Sequence, residues 1–449
     1  MCGIVGWVNL KGNIKDYSNI VIDMRDTLTF RGPDSSGIES YNHAILGHRR
    51  LSIVDPTGGL QPMSKTIGNK KYTIVYNGEL YNTEEVRNDL IKKGYRFISY
   101  SDTEVLLACF IEYKEKCVDY INGIYAFGVW DEYNQELFLA RDPLGVKPLF
   151  YALKENSIIF GSEIKSILKH PSIEPIVNKE GLLELMSLDP QRKLGGAIFK
   201  DIKEVAPANY LKFNKNGVYL NEYWKLEAKE HEQNLEQTTH HLRDLLVDAI
   251  EGQLVSDVPV CTFLSGGLDS SFISMVTASA FKRNNKDPLS TFSVDYSENE
   301  KYFKSNIFQP NSDSHWIGKM VDYIKSEHHN IVLDNEELAT YLIQATKAAE
   351  LPLMADIDSS LYLFAKEVRK YATVALSGEC ADEIFGGYPW YTKKIDNLEI
   401  FPWADSVGHR KKLLSKQLKD LPIEEYVKQV CSDSLKNVDK LAGSLKKIH

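Results

Sequence analysis

Over residues 1–170 the apolar positions fall into short, dense runs: GIVGWV (3–8), YTIVYN (72–77), IYAFGVWD (124–131), ELFLAR (136–141), LFYAL (149–153) and SIIFGS (157–162). Turns carrying Gly, Asn, Asp or Pro separate many of them, which predicts β-strands. Two stretches follow the helical period instead: 82–93 (NTEEVRNDLIKK) and 103–116 (TEVLLACFIEYKEK). Clustered strands with few helices predict an α+β layered sandwich.

After residue 234 the pattern changes. An amphipathic helix is predicted over 235–254, then the buried strand VPVCTFL (258–264) and the helix FISMVTASAF. Next come the strand LSTFSVDY (289–296), the helix HWIGKMVDYIKSE (315–327) and the strand NIVLD (330–334). Helices near 335–349 and 359–370 and the strand TVAL (373–376) follow. Such alternation predicts a mainly parallel sheet with covering helices. The intervening stretch holds Pro171, Pro175, Pro190 and Pro207 and the polar run EAKEHEQN (227–234). The reading therefore places one domain at 2–205, a linker at 206–234 and a second domain at 235–449.

Composition narrows the class. The 449 residues are 43% hydrophobic and 26% charged, which excludes disordered and collagen-like chains. A net charge of -9 disfavours nucleic acid and anionic membranes as partners. No apolar run approaches the roughly 18 residues that span a bilayer, and MCGIVGWVNLKG lacks the features of a signal peptide. The six cysteines are scattered without a CxxC pair, as expected of a reduced, cytoplasmic chain without a cysteine zinc site.

Candidate chemistry begins at the N-terminus. Loss of Met1 would leave Cys2 first, its thiol beside an α-amine of pKa about 7.7–8.0 that can act as its base. Gly3 would let a substrate approach. RGPD (31–34) predicts a turn, and GHRRLSIVD (47–55) places Arg50 at the start of a short strand, able to grip a carboxylate. YNGELYN (76–82) puts Asn77 and Gly78 at a strand end as oxyanion donors, and SDTE (101–104) puts Asp102 at a helix N-cap. Arg50 for a carboxylate, with Glu79 and Asp102 for an ammonium, suits a free amino acid.

MCGIVGW, RGPDSSG, GHRRLSIVD, GGLQPM (58–63), YNGELYN, SDTE, NGIYAFGVWD (122–131) and RDPLGVKPLFY (141–151) together resemble the class II glutamine amidotransferase domain. The resemblance implies the N-terminal-nucleophile fold, a four-layer αββα sandwich. It implies Cys2 as the nucleophile on the glutamine amide, Asn77 and Gly78 as oxyanion donors, and Arg50, Leu51, Ser52, Ile53, Val54, Glu79 and Asp102 as the glutamine site.

In the second half, SGGLDSS (265–271) follows a buried strand and opens a helix, an arrangement that presents backbone N–H groups to phosphate. Ser265, Ser270 and Ser271 add hydroxyls, and Asp269 fits a hard cation bridging the phosphates. SGECADEIFGGY (377–388) also follows an apolar strand and gathers Ser377, Glu379, Asp382 and Glu383. SGGLDSS resembles the pyrophosphate loop of ATP pyrophosphatases. With LPLMADIDSSLYLFAKEVRK (351–370), the two loops are similar to the asparagine synthetase family. The resemblance implies Asp269 and Asp382 as Mg²⁺ ligands, and Leu264, Ser265, Gly266, Gly267, Ser270, Val294, Ser377 and Gly378 around ATP. It also implies Glu379 in formation of an acyl adenylate, and a homodimer.

The chain departs from that family twice. Cys380 stands where the family usually has Gly. The family's basic RVPFLD-type segment has no match in 390–449, so the sequence leads one to expect an incomplete C-terminus and a weakened synthetase step. The leading expectation is ATP- and glutamine-dependent amidation of aspartate, with an internal ammonia route. Two rivals are amidation of another carboxylate, and a degenerate glutamine- or ATP-binding protein with glutaminase activity only.

Overall fold

The computed structural model describes residues 1–188, 190–227, 229–305, 312–352, 354–388, 400–401, 404 and 407–442, with side chains in the last helix described to 436. Two six-stranded sheets form the N-terminal half. The first runs β10-β8-β9-β1-β3-β2, with β1 Gly3–Asn9, β2 Ser35–Ser40, β3 Ala44–Arg50, β8 Phe150–Lys154, β9 Ser157–Gly161 and β10 Ile202–Glu204. The second runs β12-β11-β7-β6-β5-β4, with β4 Met63–Ile67, β5 Lys70–Leu80, β6 Gly123–Asp131, β7 Glu136–Arg141, β11 Asn209–Asn214 and β12 Gly217–Glu222. All of these pairings are antiparallel.

The two-residue period of a strand decides the layers. Ile4 and Val8 of β1, Ala44 and Leu46 of β3, and Ile158 and Phe160 of β9 face inward, where they meet Val75, Ala126, Trp130 and Leu139 of the other sheet. The intervening Val5, Ile45 and Ile159 face outward under helices α1 (Ser18–Asp26) and α4 (Ile164–Leu168). On the far side, Tyr72, Ile74 and Tyr76 of β5 and Tyr125 and Phe127 of β6 pack against α2 (Thr83–Lys92) and α3 (Asp102–Tyr113). The order is helix, sheet, sheet, helix, as expected from the αββα reading. Because both sheets are covered on both faces, their central strands read as nearly continuous apolar runs.

The contacts divide the chain into Met1–Glu230 with Leu398–His449, and His231–Asn397. This division differs from the expected boundaries in two places. Residues 206–222 are not a linker, because β11 and β12 complete the second sheet. After 397 the chain rejoins the first unit. There Val407, Leu421, Ile423 and Val427 cluster with Leu182, Leu183 and Met186 of α5 (Lys179–Leu188), and Ser187 Oγ donates to the Ile423 carbonyl (3.4 Å).

The second unit holds a parallel sheet, β15-β14-β13-β16, of β13 Val260–Phe263, β14 Ser290–Tyr296, β15 Glu327–Leu333 and β16 Val374–Leu376. Helix α6 (Leu235–Gly252) precedes it and α7 (Leu268–Arg283) follows β13. Thr262 of β13 bonds Ser274 of α7 (2.7 Å), whereas Phe263 meets Phe364 edge-on (4.8 Å). Helices thus cover both faces. Among the described residues no helix is long and apolar enough to cross a membrane.

Candidate active site

Pairing of β1 with β3, Gly3 opposite Arg49, sets Cys2 beside the end of β3 and the loop after it. The Cys2 thiol donates to the Leu51 carbonyl (3.6 Å), and Leu51, Ser52, Ile53 and Val54 are half-buried along that loop. Arg31 fixes the other side: its Nε donates to the Cys2 carbonyl (2.9 Å) and its Nη1 pairs with Glu163 (2.9 Å). Burial pushes the thiol pKa up. The neighbouring Met1 amine is pulled down to about 5, first by burial and also by Arg31 and Lys147. An amine held there is unprotonated at neutral pH. Gly3 serves packing rather than substrate approach, since a Cβ there would lie 2.8 Å from Leu28 Cδ1.

Asn77 and Gly78 lie inside β5, opposite Ala126 and Tyr125, and not at a strand end as expected. They can still present donors, because β4 pairs β5 only as far as Ile74. Beyond it one edge of β5 is open. The Tyr76 N–H on that edge donates to Gln61 Oε1 (2.6 Å) and the Leu80 N–H to Asp102 Oδ2 (3.2 Å). Strand alternation puts the Gly78 N–H between them on the same edge. Its opposite number agrees: the Tyr125 N–H turns away from β5, to Asp142 Oδ2 (3.2 Å). The Asn77 side chain is 1% exposed, and its Nδ2 has no hydrogen-bond partner among the described residues. An orphaned buried donor is costly unless a ligand takes it up.

Around this edge, Asp102 is the first residue of α3. The cap itself is Ser101, whose side chain accepts from the Thr103 N–H (3.1 Å). Asp102 is thereby free to accept from Tyr76 Oη (2.9 Å) as well as Leu80. Arg50 ends β3 instead of starting a strand, and its guanidinium already spans the carbonyls of Val54 (3.0 Å), Asp55 (2.6 Å) and Pro56 (2.7 Å). It shapes the 51–56 loop first. His48 is held neutral, its pKa pushed down to about 3 by burial, and its Nε2 bonds the Tyr76 carbonyl (3.0 Å) just before Asn77.

Glu79 and Asp102 are both pushed up, first by burial, and Asp102 also raises Glu79. Such a pair retains a proton near neutrality that an ammonium, if bound there, would displace. Glutamine should therefore bind more tightly as pH rises from about 6 to 8, with KM falling and a proton released on binding. Calorimetry in buffers of different ionisation enthalpy measures that release, and a flat KM with no proton release would exclude the pair from ammonium binding.

In the second unit, chain order against sheet order puts the strand reversal between β13 and β16. Ligands of open parallel sheets bind outside the carboxyl ends of the strands at such a reversal. Both Gly-rich loops leave from there. Gly266 takes a left-handed φ of 79°, open to glycine at little cost. Gly267 is the N-cap of α7, with no side-chain cap bond. Ser270 Oγ accepts from the Ser265 N–H (3.1 Å) and bonds Ser265 Oγ (3.0 Å), which closes the turn. Leu264 is buried and donates to the Phe292 carbonyl (2.8 Å). A Cβ on Gly378 would lie 3.1 Å from Asp269 Cβ and from the Ser270 N, so the two loops abut. Ser377 Oγ accepts from the Glu379 N–H (3.2 Å), Glu379 is exposed, Asp382 is half-buried in the short helix Ala381–Phe385, and Val294 is on β14. Cys380 has φ 71°, so the chain carries a side chain in a conformation that favours glycine. Among the described residues no three His, Cys, Asp or Glu side chains converge as a metal cage.

The family model of a glutamine amidotransferase domain matches residues 1–224, and that of asparagine synthase matches 241–444. Asparagine synthetase [glutamine-hydrolyzing] 3 of Bacillus subtilis is 49% identical over 99% of this chain and 72% of its own length. This chain belongs to the glutamine-hydrolysing asparagine synthetase family. Asparagine synthetase 1 of B. subtilis is 36% identical over 92% of this chain and 63% of its own. Asparagine synthetase B of Escherichia coli is 27% identical over 89% and 67% respectively. The chain thus spans roughly two thirds of the length of these three synthetases.

Several residues around the synthetase family's glutaminase motifs were not singled out from sequence. Arg31 was read only as part of a turn, Glu163 lies 132 positions from it, and His48 and Lys147 were quoted only inside motifs. The available signal was a charged or imidazole group amid residues otherwise bound for the core.

Proposed function

We infer that this chain hydrolyses glutamine at Cys2 and uses the ammonia to convert aspartate to asparagine with ATP. The observation that carries the reading is the buried Asn77 Nδ2, without a partner among the described residues, beside the outward Gly78 N–H on the strand next to Glu79 and Asp102. The Cys2 thiol gives its proton to an amine and Sγ attacks the glutamine Cδ. The carbonyl electron pair moves onto oxygen, where Asn77 Nδ2 and Gly78 N–H donate to it. The amine returns that proton to the amide nitrogen as the intermediate collapses, so the C–N bond breaks, the thioester forms and ammonia leaves; water then adds to the thioester carbonyl, the C–S bond breaks, and glutamate and the free thiol result. Asp102 and Glu79 hold the substrate ammonium, while Arg50 and the 51–54 loop hold its carboxylate.

In the second unit, an aspartate carboxylate oxygen attacks the α-phosphorus of ATP and pyrophosphate leaves. Ammonia then attacks the acyl carbon and AMP leaves. The SGGLDSS turn and the open start of α7 hold the phosphates, Leu264 and Val294 flank the nucleotide, and Ser377, Gly378 and Glu379 face the forming adenylate. The donor set suits Mg²⁺, which is commonly held by one or two carboxylates with phosphate oxygens and water. Asp269 and Asp382 would hold it, and it would offset phosphate charge.

Asp269→Asn tests the nucleotide assignment. Calorimetry should show Mg·ATP affinity reduced about tenfold or more, since a neutral amide is a weaker ligand for a hard cation. ATP-free glutamine hydrolysis should be unchanged. Equal Mg·ATP affinity would leave Asp269 a helix-start residue only.

A further inference from the structure

Strand β4 pairs with β5 in one register, from Ile67 opposite Lys70 to Met63 opposite Ile74. Continued, that register would set Pro62 opposite Val75 and Gln61 opposite Tyr76. Pro62 has no N–H to give to a ladder, and the backbone pairing ends before it. Tyr76 keeps both of its ladder bonds all the same, because side chains make them. Gln61 Oε1 accepts from the Tyr76 N–H (2.6 Å), in the place of a strand carbonyl. His48 Nε2 bonds the Tyr76 carbonyl (3.0 Å), in the place of a strand N–H. A carbonyl can only accept, so Nε2 carries the proton.

Gln61 is itself held from several sides. It is buried, and its backbone lies so close to Gly37 of β2 that a Cβ there would have no room. Its Nε2 donates to Thr103 Oγ1 (3.3 Å) on α3, the residue after Asp102. Asp102 completes the frame, accepting from Tyr76 Oη (2.9 Å) and the Leu80 N–H (3.2 Å) with one oxygen. Tyr76 and Leu80 are therefore both tied to α3, Tyr76 also through Gln61, and the Gly78 N–H lies between them on the same edge. In the continued register Gly59 would face Gly78, but its N–H turns instead to the Asp55 carbonyl (3.0 Å) within its own loop.

Resting on the reading of Gly78 and Asn77 as the oxyanion donors, we propose that Gln61 is the positioning residue of the oxyanion edge. Its side-chain amide replaces the strand that β4 does not supply, ties β5 to α3, and so aims the Gly78 N–H at the glutamine oxygen. Donors act on an oxyanion only when they are fixed in advance at hydrogen-bond distance. Without the Gln61 acceptor, the Tyr76 N–H would seek another partner and the edge would lose its fixed direction.

The test is steady-state glutamine hydrolysis by the full chain. Gln61→Met and Gln61→Leu remove the acceptor with two side-chain shapes, and Gln61→Glu keeps an acceptor oxygen at the same length. A thermal melt checks that each variant folds. The Met and Leu variants should lose about tenfold or more in kcat, the scale of a small misplacement of catalytic groups. Their KM should stay within about threefold, because the oxygen becomes charged only in the tetrahedral intermediates. Gln61→Glu should recover most of that kcat, and the effect of its added charge on the ammonium site should fall on KM. Amide exchange read by mass spectrometry should be faster over residues 76–80 in the Met and Leu variants and near the parent rate in Gln61→Glu. Parent-level kcat in a folded Met or Leu variant, a loss confined to KM, or an equal kcat loss in Gln61→Glu overturns the proposal. Absence of hydrolysis by the parent chain, or parent-level hydrolysis by Cys2→Ala, would instead overturn the reading of the glutaminase site, and this proposal with it.

Discussion

Cys2→Ala is expected to lose glutamine hydrolysis by on the order of 10⁴-fold or more, the scale seen when a covalent nucleophile is removed. Asn77, Gly78 and the carboxylate pair lie on β5 and α3 and do not depend on the thiol for their positions. Glutamine should therefore still bind the variant with near-parent affinity. Ammonia-dependent amidation should survive, since the loops proposed to hold ATP belong to the other unit. An electrophilic glutamine analogue should label Cys2 and spare the rest, of which Cys109, Cys117, Cys261 and Cys431 are buried. Residual hydrolysis within tenfold of the parent would remove Cys2 from the mechanism. Steady-state kinetics and binding on one preparation measure all of this.

Asn77→Ala should lower kcat for glutamine by roughly 10²–10³-fold, the usual loss for one oxyanion donor. The Asn77 Nδ2 has no hydrogen-bond partner among the described residues, so the interaction proposed for it would form with the ligand. The loss should fall on kcat more than on KM, because negative charge gathers on the oxygen only as the tetrahedral intermediate forms. Stability should hold or rise slightly, since the substitution removes an unsatisfied buried amide. A pure KM effect would place Asn77 in ground-state binding instead. His48→Ala would be less informative, because it also removes a buried bridge between β3 and β5.

The strands were legible where both faces are buried, as in ELFLAR and SIIFGS, because most positions are then apolar. They were hidden where polarity serves the site. Strand β3 ends in His48, Arg49 and Arg50, so that its apolar part is short and Arg50 reads as a strand start instead of a strand end. Strand β12 is mostly exposed and reads as linker. Cys2, Asn77, Gly78, Glu79 and Asp102 were visible as motifs. Their geometry was not, since Asn77 and Gly78 gain an open edge only because β4 pairs with β5 no further than Ile74. The Arg31–Glu163 pair and the Arg141 grip on Val205 join residues 132 and 64 positions apart. No local pattern encodes such partners. The same holds for the final segment, whose apolar positions pack on α5 of the first unit.

The central claim is that nitrogen freed at Cys2 becomes an amide at the nucleotide loops. Incubation with amide-¹⁵N glutamine, aspartate and ATP, followed by mass spectrometry, tests it most directly. The account predicts ¹⁵N in the side-chain amide of asparagine, with one AMP and one pyrophosphate formed per asparagine. Cys2→Ala should give the same product only from ¹⁵N ammonia. Unlabelled asparagine from labelled glutamine, or ADP and phosphate in place of AMP and pyrophosphate, would contradict it.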